Sequence, residues 1–368
     1  MTVGFTAKTL EQIKLFASLP QTPISLKKMT QFGRVPSPGT LIRASQFMRD
    51  ELQIRLAHRV VELENLPHGL SEMNSVKKVK QWYTQSFHDL ISFPHPSVSR
   101  VPADFVLQNN TELNGNEGQE YYDPLKTTAL IPQSVLEYNQ NFSKLLEKIK
   151  NRHDPVVSTI AQGVVDIKNV WKKSKKFSST QQLPLEIQSF LDRFYMSRIG
   201  IRMLIGQHVA ISKASFDHNS VPENYVGIIC TKTPLMQVVQ DAAENAKFIC
   251  NDYYGLWGGP EVKFIGKENI TQDFCYVPSH LHHMVFELLK NSLRAVVERY
   301  GIDCEDFPDI KIVFAEGKED ITIKISDEGG GIPRSGLPLI WSYMYTTAEN
   351  PLLEEDFSKN DFKAPLAG

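Results

Sequence analysis

The sequence predicts an antiparallel helical bundle over residues 1–216 followed by an α/β domain over residues 217–368. Three observations predict this α + α/β class. Apolar residues recur at helical spacing through the first part, and short β-rich runs replace them after about Asp217. The length, 368 residues, exceeds the roughly 250 to 300 residues that one core usually supports.

The helical stripes follow in chain order. Phe47 or Met48, Leu52, Leu56, Val60 and Leu63 mark the first, between Leu41 and about Leu63. Val76, Val79, Tyr83, Phe87 and Leu90 form the second, and Val135, Tyr138, Phe142, Leu145 and Ile149 the third. Val156, Ile160, Val164, Ile167 and Trp171 form the fourth. A fifth helix starts near Pro184, a favoured first-turn residue, and runs past Ile187, Leu191, Phe194, Ile201 and Ile205. Helices with single apolar faces joined by short links pack as an antiparallel bundle. One link is long: Gln108 to Glu120, rich in Asn, Gly, Gln and Glu, reads as a mobile insertion with too little apolar surface to order itself. The five lysines between Lys168 and Lys176 read as a solvated turn, with a docking patch for an acidic partner as the alternative. Beyond residue 217, strands are predicted at Tyr225–Thr231, Asp273–Val277, Ile310–Phe314 and Ile321–Ile325, alternating with two helical stretches.

Composition excludes several classes. A net charge of −2 argues against broad attraction to nucleic acid. No apolar run approaches the roughly 18 residues of a membrane span. Cys230, Cys250, Cys275 and Cys304 form no C-x-x-C pair, so neither a zinc site nor a disulfide framework is expected, and a reducing compartment fits. The first thirty residues, with Glu11 as their one acidic residue and no Arg, make a poor secretory signal and an equivocal transit peptide.

The chemistry gathers in the α/β part. After Pro278 the residues His283, Glu287, Asn291 and Arg294 are spaced four, four and three, which puts them on one helix face. Met284, Val285, Leu288, Leu289 and Val296 are expected to cover the rest of the cylinder. A solvated polar stripe is the plain alternative. The strand ending in Ser326 then runs into D-E-G-G-G-I-P, Asp327 to Pro333. A carboxylate followed by glycines makes a pocket floor that a flat ring approaches closely, and the carboxylate accepts a hydrogen bond from an exocyclic amine. H-R-D-x-x-x-x-N, D-F-G and a Walker P-loop are absent, which excludes those phosphotransfer machineries.

This helix and loop together resemble the superfamily of gyrases, heat-shock ATPase chaperones, histidine kinases and mismatch-repair ATPases. More narrowly, Y-V-P-S-H-L-H-H-M-V-F-E-L-L-K-N-S-L-R-A, F-L-D-R-F-Y-M-S-R-I-G-I-R-M-L-I-G-Q-H, N-R-H-D-P-V-V-S-T-I-A-Q-G-V and W-S-Y-M-Y-T-T-A resemble the mitochondrial pyruvate dehydrogenase kinases. The likeness covers nearly the whole chain. It implies an N-terminal bundle that docks a lipoyl domain and a C-terminal α/β sandwich of the histidine-kinase/gyrase type. It also implies ATP and Mg2+ as nucleotide and metal, and the mitochondrial matrix as location.

The resemblance also implies roles. Asn291 would hold the metal, with Lys290 and Arg294 near the phosphates. Asp327 would read the adenine amine, with Gly329 and Gly331 beneath it and Thr346, Thr347, Leu366 and Gly368 on the nucleotide's lid side. Glu287 would be the general base, tuned by His283. An effector pocket for pyruvate-like carboxylates would include Tyr83, Ser86, His153, Ser197, Arg198 and Arg202, with Lys150 standing where the family pattern has Arg. The family continues past A-P-L-A-G with a glycine-rich segment, a last helix, strands and a dimerising tail, whereas this sequence stops at Gly368, so an incomplete C-terminal domain is expected. The expected activity is inactivation of the decarboxylase component of the pyruvate dehydrogenase complex by serine phosphorylation, by a chain that is a homodimer when complete. The alternatives are a branched-chain 2-oxoacid dehydrogenase kinase, a non-catalytic lipoyl-domain binder, and a histidine kinase using His153.

Overall fold

The computed structural model describes residues 7–33, 37–96, 99, 101–102, 132–173, 183–216, 222, 224–266 and 274–345. These fall in two compact units, Met1–Ile228 and Ile229–Gly368.

The first unit is helical: α1 Ala7–Ala17, α2 Leu26–Gly33, α3 Pro38–Glu64, α4 Asn74–Ser92, α5 Gln133–Arg152, α6 Val156–Lys173 and α7 Leu185–Phe216. α3 is the central member, packing against α1, α4, α5 and α7. Ser37 starts it by accepting the Thr40 N–H on its hydroxyl, and Pro38 needs no partner for its own nitrogen. Leu52, Leu56, Val60, Tyr83, Phe87, Phe142 and Phe194 form its dry interior. The four stripes and the fifth helix of the sequence reading are α3 to α7. The short helices α1 and α2 were not anticipated: in α1 only Thr9 and Ile13 are buried, too little to make a stripe. The chain between α1 and α2 is held on α3, where the buried Glu51 carboxylate accepts the Thr22 N–H and pairs with Arg55 at 2.6 Å.

The second unit contains α8 Leu235–Tyr254, α9 Pro278–Tyr300 and a sheet of β3 Val262–Ile265, β4 Ile310–Glu316 and β5 Ile321–Ser326, with two-residue strands β1 Tyr225–Val226 and β2 Ile229–Cys230 flanking the division. In the sheet, β3 runs parallel to β4 and β5 antiparallel to it. Ile310, Ile312 and Phe314 of β4 point into a core shared with Val239, Ala242 and Ala246 of α8 and Leu289, Leu293 and Val297 of α9. Burial of these alternate residues fixes the register, since a one-residue slip would turn Lys311 inward.

Three expectations change. Tyr225–Thr231 is not one strand, because Gly227 takes a φ of 62° and breaks it. Asp273–Val277 contributes one antiparallel bridge, Tyr276 to Cys230, and Asp273 itself lies outside the described residues. The lysine run is not simply a turn: Lys168, Lys172 and Lys173 belong to α6, and the remainder, like Gln108 to Glu120, lies outside the described residues. Within the first unit the α7 side chain Gln207 holds the backbone of Val226 and Ile228.

Candidate active site

α9 carries the site. Pro278 at its first turn and buried Leu281, Val285, Leu289, Leu293 and Val296 set its rotation, leaving His283 and Asn291 exposed and Glu287 and Arg294 partly exposed on the opposite side. Lys290 is buried, at 2% exposure, where an unpaired ammonium would be costly. Its Nζ pairs with Glu287 Oε2 at 2.8 Å and lies 5.6 Å from the Phe286 ring centroid. Glu287 is thus paired with Lys290, one turn on. Arg294 pairs with Glu298 at 3.5 Å. Met284 and Leu288, expected to cover the helix, are instead 46% and 56% exposed and form an apolar strip beside the polar one.

The loop after β5 is pinned to α9 at three points. Ser292 Oγ donates to Asp327 Oδ2 at 2.8 Å, and the Gly329 N–H donates to Asp327 Oδ1 at 2.9 Å. A Cβ on Gly329 would lie 2.5 Å from Ala295 Cβ and 2.9 Å from its carbonyl carbon, so only glycine permits this approach. Arg299 Nη1 donates to the Glu328 carbonyl at 2.9 Å. Ser292, Ala295 and Arg299 are spaced three and four and share a face. The Asp327 carboxylate is therefore fixed by one donor on each oxygen, with lone pairs left for a third, such as an exocyclic amine.

Among the described residues no three His, Cys, Asp or Glu side chains gather into a metal cage. Mg2+ in general takes one or two protein oxygens and completes its shell with phosphates and water. Asn291 and Glu287, one turn apart on the open face, offer oxygens of that kind. Thr346, Thr347, Leu366 and Gly368 lie outside the described residues.

The bundle holds a second polar cluster. Tyr83 is fully buried, stacks on His153 with centroids 4.4 Å apart, and packs against Phe194. His153 Nε2 meets Ser86 Oγ at 3.0 Å, and burial together with the Arg152 guanidinium pushes the imidazole down to about 3, so it is neutral at physiological pH. Arg198 donates to the His153 carbonyl and Arg202 to Asp154 at 2.8 Å. Arg202 also reaches the Lys150 carbonyl. Burial raises the Tyr83 phenol, while Arg198 and Arg59 pull it down. Among the described residues, Tyr83 OH, Ser197 Oγ, Arg198 Nε and Arg59 Nε are buried with no hydrogen-bond partner. Unsatisfied donors beside arginine are what a small carboxylate would satisfy. The sequence reading missed Arg152, which donates to Ser86 Oγ at 2.7 Å and Asp89 at 2.6 Å, and buried Arg59. Arg152 stands within a quoted motif beside His153, which was its only signal. For Arg59 the signal was a charged residue beside the apolar Val60 of the first stripe.

Comparison with known proteins bears on both clusters. Residues 23–230 match the family described as mitochondrial branched-chain alpha-ketoacid dehydrogenase kinase, and residues 276–359 the one described as histidine kinase-, DNA gyrase B-, and HSP90-like ATPase. Mitochondrial pyruvate dehydrogenase (acetyl-transferring) kinase of Schizosaccharomyces pombe is 43% identical, over 98% of this chain and 88% of its own length. The Arabidopsis thaliana enzyme of the same name is 40% identical, over 99% and 85%. Human isozyme 3 is 37% identical, over 97% and 76%.

Proposed function

Since the chain belongs to the family of mitochondrial pyruvate dehydrogenase kinases, we propose that it uses ATP to phosphorylate serines on the decarboxylase component of the pyruvate dehydrogenase complex, switching that complex off. The observation that carries this reading is the Asp327 loop locked to the helix that also presents Glu287 and Asn291.

In this reading Asp327 accepts the adenine amine, and the Ser292 and Gly329 donors keep its carboxylate in place while it does so. The exposed apolar strip of Met284 and Leu288 offers a surface for a flat ring. Asn291 holds Mg2+, which when bound neutralises phosphate charge. Glu287 orients the serine hydroxyl and takes its proton; the buried Lys290 ammonium beside it keeps the carboxylate aimed along the open face until the substrate arrives. Arg294 lies one turn beyond and steadies phosphate charge. Phosphoryl transfer asks chiefly for such positioning and charge neutralisation.

The bundle cluster of Tyr83, Ser86, His153, Ser197, Arg198 and Arg202 is proposed as the seat of a pyruvate-like carboxylate that restrains the kinase. Docking on a lipoyl domain, homodimerisation and residence in the mitochondrial matrix follow as proposals from the same membership. No helix among the described residues is long and apolar enough to cross a membrane. The test incubates the full-length protein and labelled ATP with purified pyruvate and branched-chain dehydrogenase complexes in turn. Label on serine of the pyruvate complex is expected; label confined to the branched-chain complex would reassign the substrate.

A further inference from the structure

The contacts that hold the buried Lys290 extend beyond Glu287. Its ammonium pairs with Glu287 Oε2 at 2.8 Å and also lies over the face of the Phe286 ring, 5.6 Å from the centroid. An aromatic face carries the negative part of the ring's quadrupole and attracts a cation, most strongly where water is excluded. The Lys290 side chain is 3% exposed, so the ring face and the carboxylate together offset the cost of burying its charge.

Phe286 is itself fixed. It packs on the core that α8, α9 and the sheet share. His282, one turn earlier, lies nearly parallel to it, at 10° with ring centroids 6.2 Å apart. His282 Nε2 in turn meets Asn245 Nδ2 of α8 at 3.1 Å. His282, Phe286 and Lys290 are spaced four and four, which stacks them along one face of α9. A series of contacts thus runs from α8 through two rings to the Lys290 ammonium and the Glu287 carboxylate, and all of it lies within the second unit.

We propose that Phe286 is a positioning residue for phosphoryl transfer: its ring face holds the Lys290 ammonium, and through that ammonium the Glu287 carboxylate, where the serine hydroxyl must be met. The proposal rests on the reading of Glu287 as the base. Lysine and glutamate side chains are long and freely rotating, and the flat ring, held by the core and by His282, removes that freedom at one end of the pair. The hydrogen bonds that aim Asp327, from Ser292 and Gly329, involve none of these side chains. Loss of the ring face should therefore spare nucleotide binding and slow transfer, since small displacements of reacting groups cost about 10- to 100-fold.

The test uses the full-length protein with Phe286→Leu, which keeps apolar bulk and removes the ring face, Phe286→Tyr, which keeps the face, and His282→Ala, which removes the stacked ring from the partly exposed end. Phe286→Leu is expected to lower kcat about 10-fold or more with KM for ATP within about 2-fold, the scale of a desolvated cation–π contact. Phe286→Tyr should stay within about 3-fold of the parent, and His282→Ala should lose about 2- to 10-fold, as removal of one aromatic pair implies. Unchanged kcat in Phe286→Leu or His282→Ala, equal losses in Phe286→Tyr and Phe286→Leu, or a matching rise in KM would overturn the proposal. Transfer at the parent rate by Glu287→Gln would overturn the base reading and the proposal with it, whereas slowed Glu287→Gln beside a parent-like Phe286→Leu removes the proposal alone. A second readout needs no turnover: acetylation of lysine amines followed by mass spectrometry. Lys290 should be protected in the parent and in Phe286→Tyr, and should react about 10-fold faster in Phe286→Leu relative to Lys263, whose side chain is 63% exposed. Lys290 equally protected in Phe286→Leu would show that the ring does not hold it.

Discussion

Gly329→Ala is the sharpest perturbation the site offers. The added methyl would lie 2.5 Å from Ala295 Cβ, 2.9 Å from the Ala295 carbonyl carbon and 3.0 Å from Asp327 Oδ1. Two of these neighbours belong to α9, held by the core of the second unit, so the loop must yield instead. Overpacking of this kind costs about 1–3 kcal/mol. Movement of residue 329 also withdraws the N–H that fixes Asp327 Oδ1, a hydrogen bond to a charged group worth about 1.5–3 kcal/mol. If that orientation is what reads adenine, ATP affinity should fall about 10- to 100-fold, since about 1.4 kcal/mol is tenfold. Gly255→Ala, at the end of α8 and away from the site, is the control: its φ of 67° makes alanine mildly strained, but nothing lies within 4 Å of the added carbon. Calorimetric titration of ATP into both variants, with thermal unfolding alongside, separates the cases. An ATP Kd for Gly329→Ala within about 2-fold of the parent would refute the reasoning that Asp327 is aimed by its glycine neighbour.

Asn291→Ala should remove the magnesium dependence of ATP binding, read by titration with and without the metal; retained dependence places the metal elsewhere. Arg198→Ala should raise the inhibition constant for pyruvate at least about 10-fold, the scale of a lost charge-assisted hydrogen bond, and an unaltered constant would make the cluster structural. Stability should depend on acid through His208, which burial pushes down to about 4 from 6.5. The folded chain keeps it neutral, so below pH 6.5 the unfolded chain binds a proton the folded one refuses. Stability is complete above that pH and is lost as pH falls toward 4, by about 2 kcal/mol between pH 7 and pH 5. Denaturant unfolding at both pH values checks this: His208→Gln should shrink the difference by about that amount, the buried His153 still contributing its own share, and an equal difference in both proteins would contradict it.

The long elements were legible because each buries one continuous face. α3 and α4 follow the Leu52–Leu63 and Val76–Leu90 stripes, and β5 follows the Ile321–Ile325 alternation. What escaped was short or set by partners distant in sequence. β3 is four residues long and reads as a strand only once β4 lies beside it. The residue types of the site were visible, and so was the common face of Glu287 and Asn291. Their pairings were not: Glu287 with Lys290, Asp327 with Ser292 and Arg152 with Asp89 depend on helix rotation and on packing between elements. Met284 and Leu288 misled for the same reason, since a hydrophobic residue beside a binding face looks like core until the rotation of the helix is known.

The measurement closest to the central claim is single-turnover phosphorylation of the pyruvate complex by full-length Glu287→Gln, with ATP affinity measured on the same sample. ATP should bind as in the parent and transfer should slow about 100-fold or more, the scale of general acid–base catalysis. Transfer at the parent rate with ATP bound normally would show that Glu287 is not the base and that the chemistry of α9 lies in other residues.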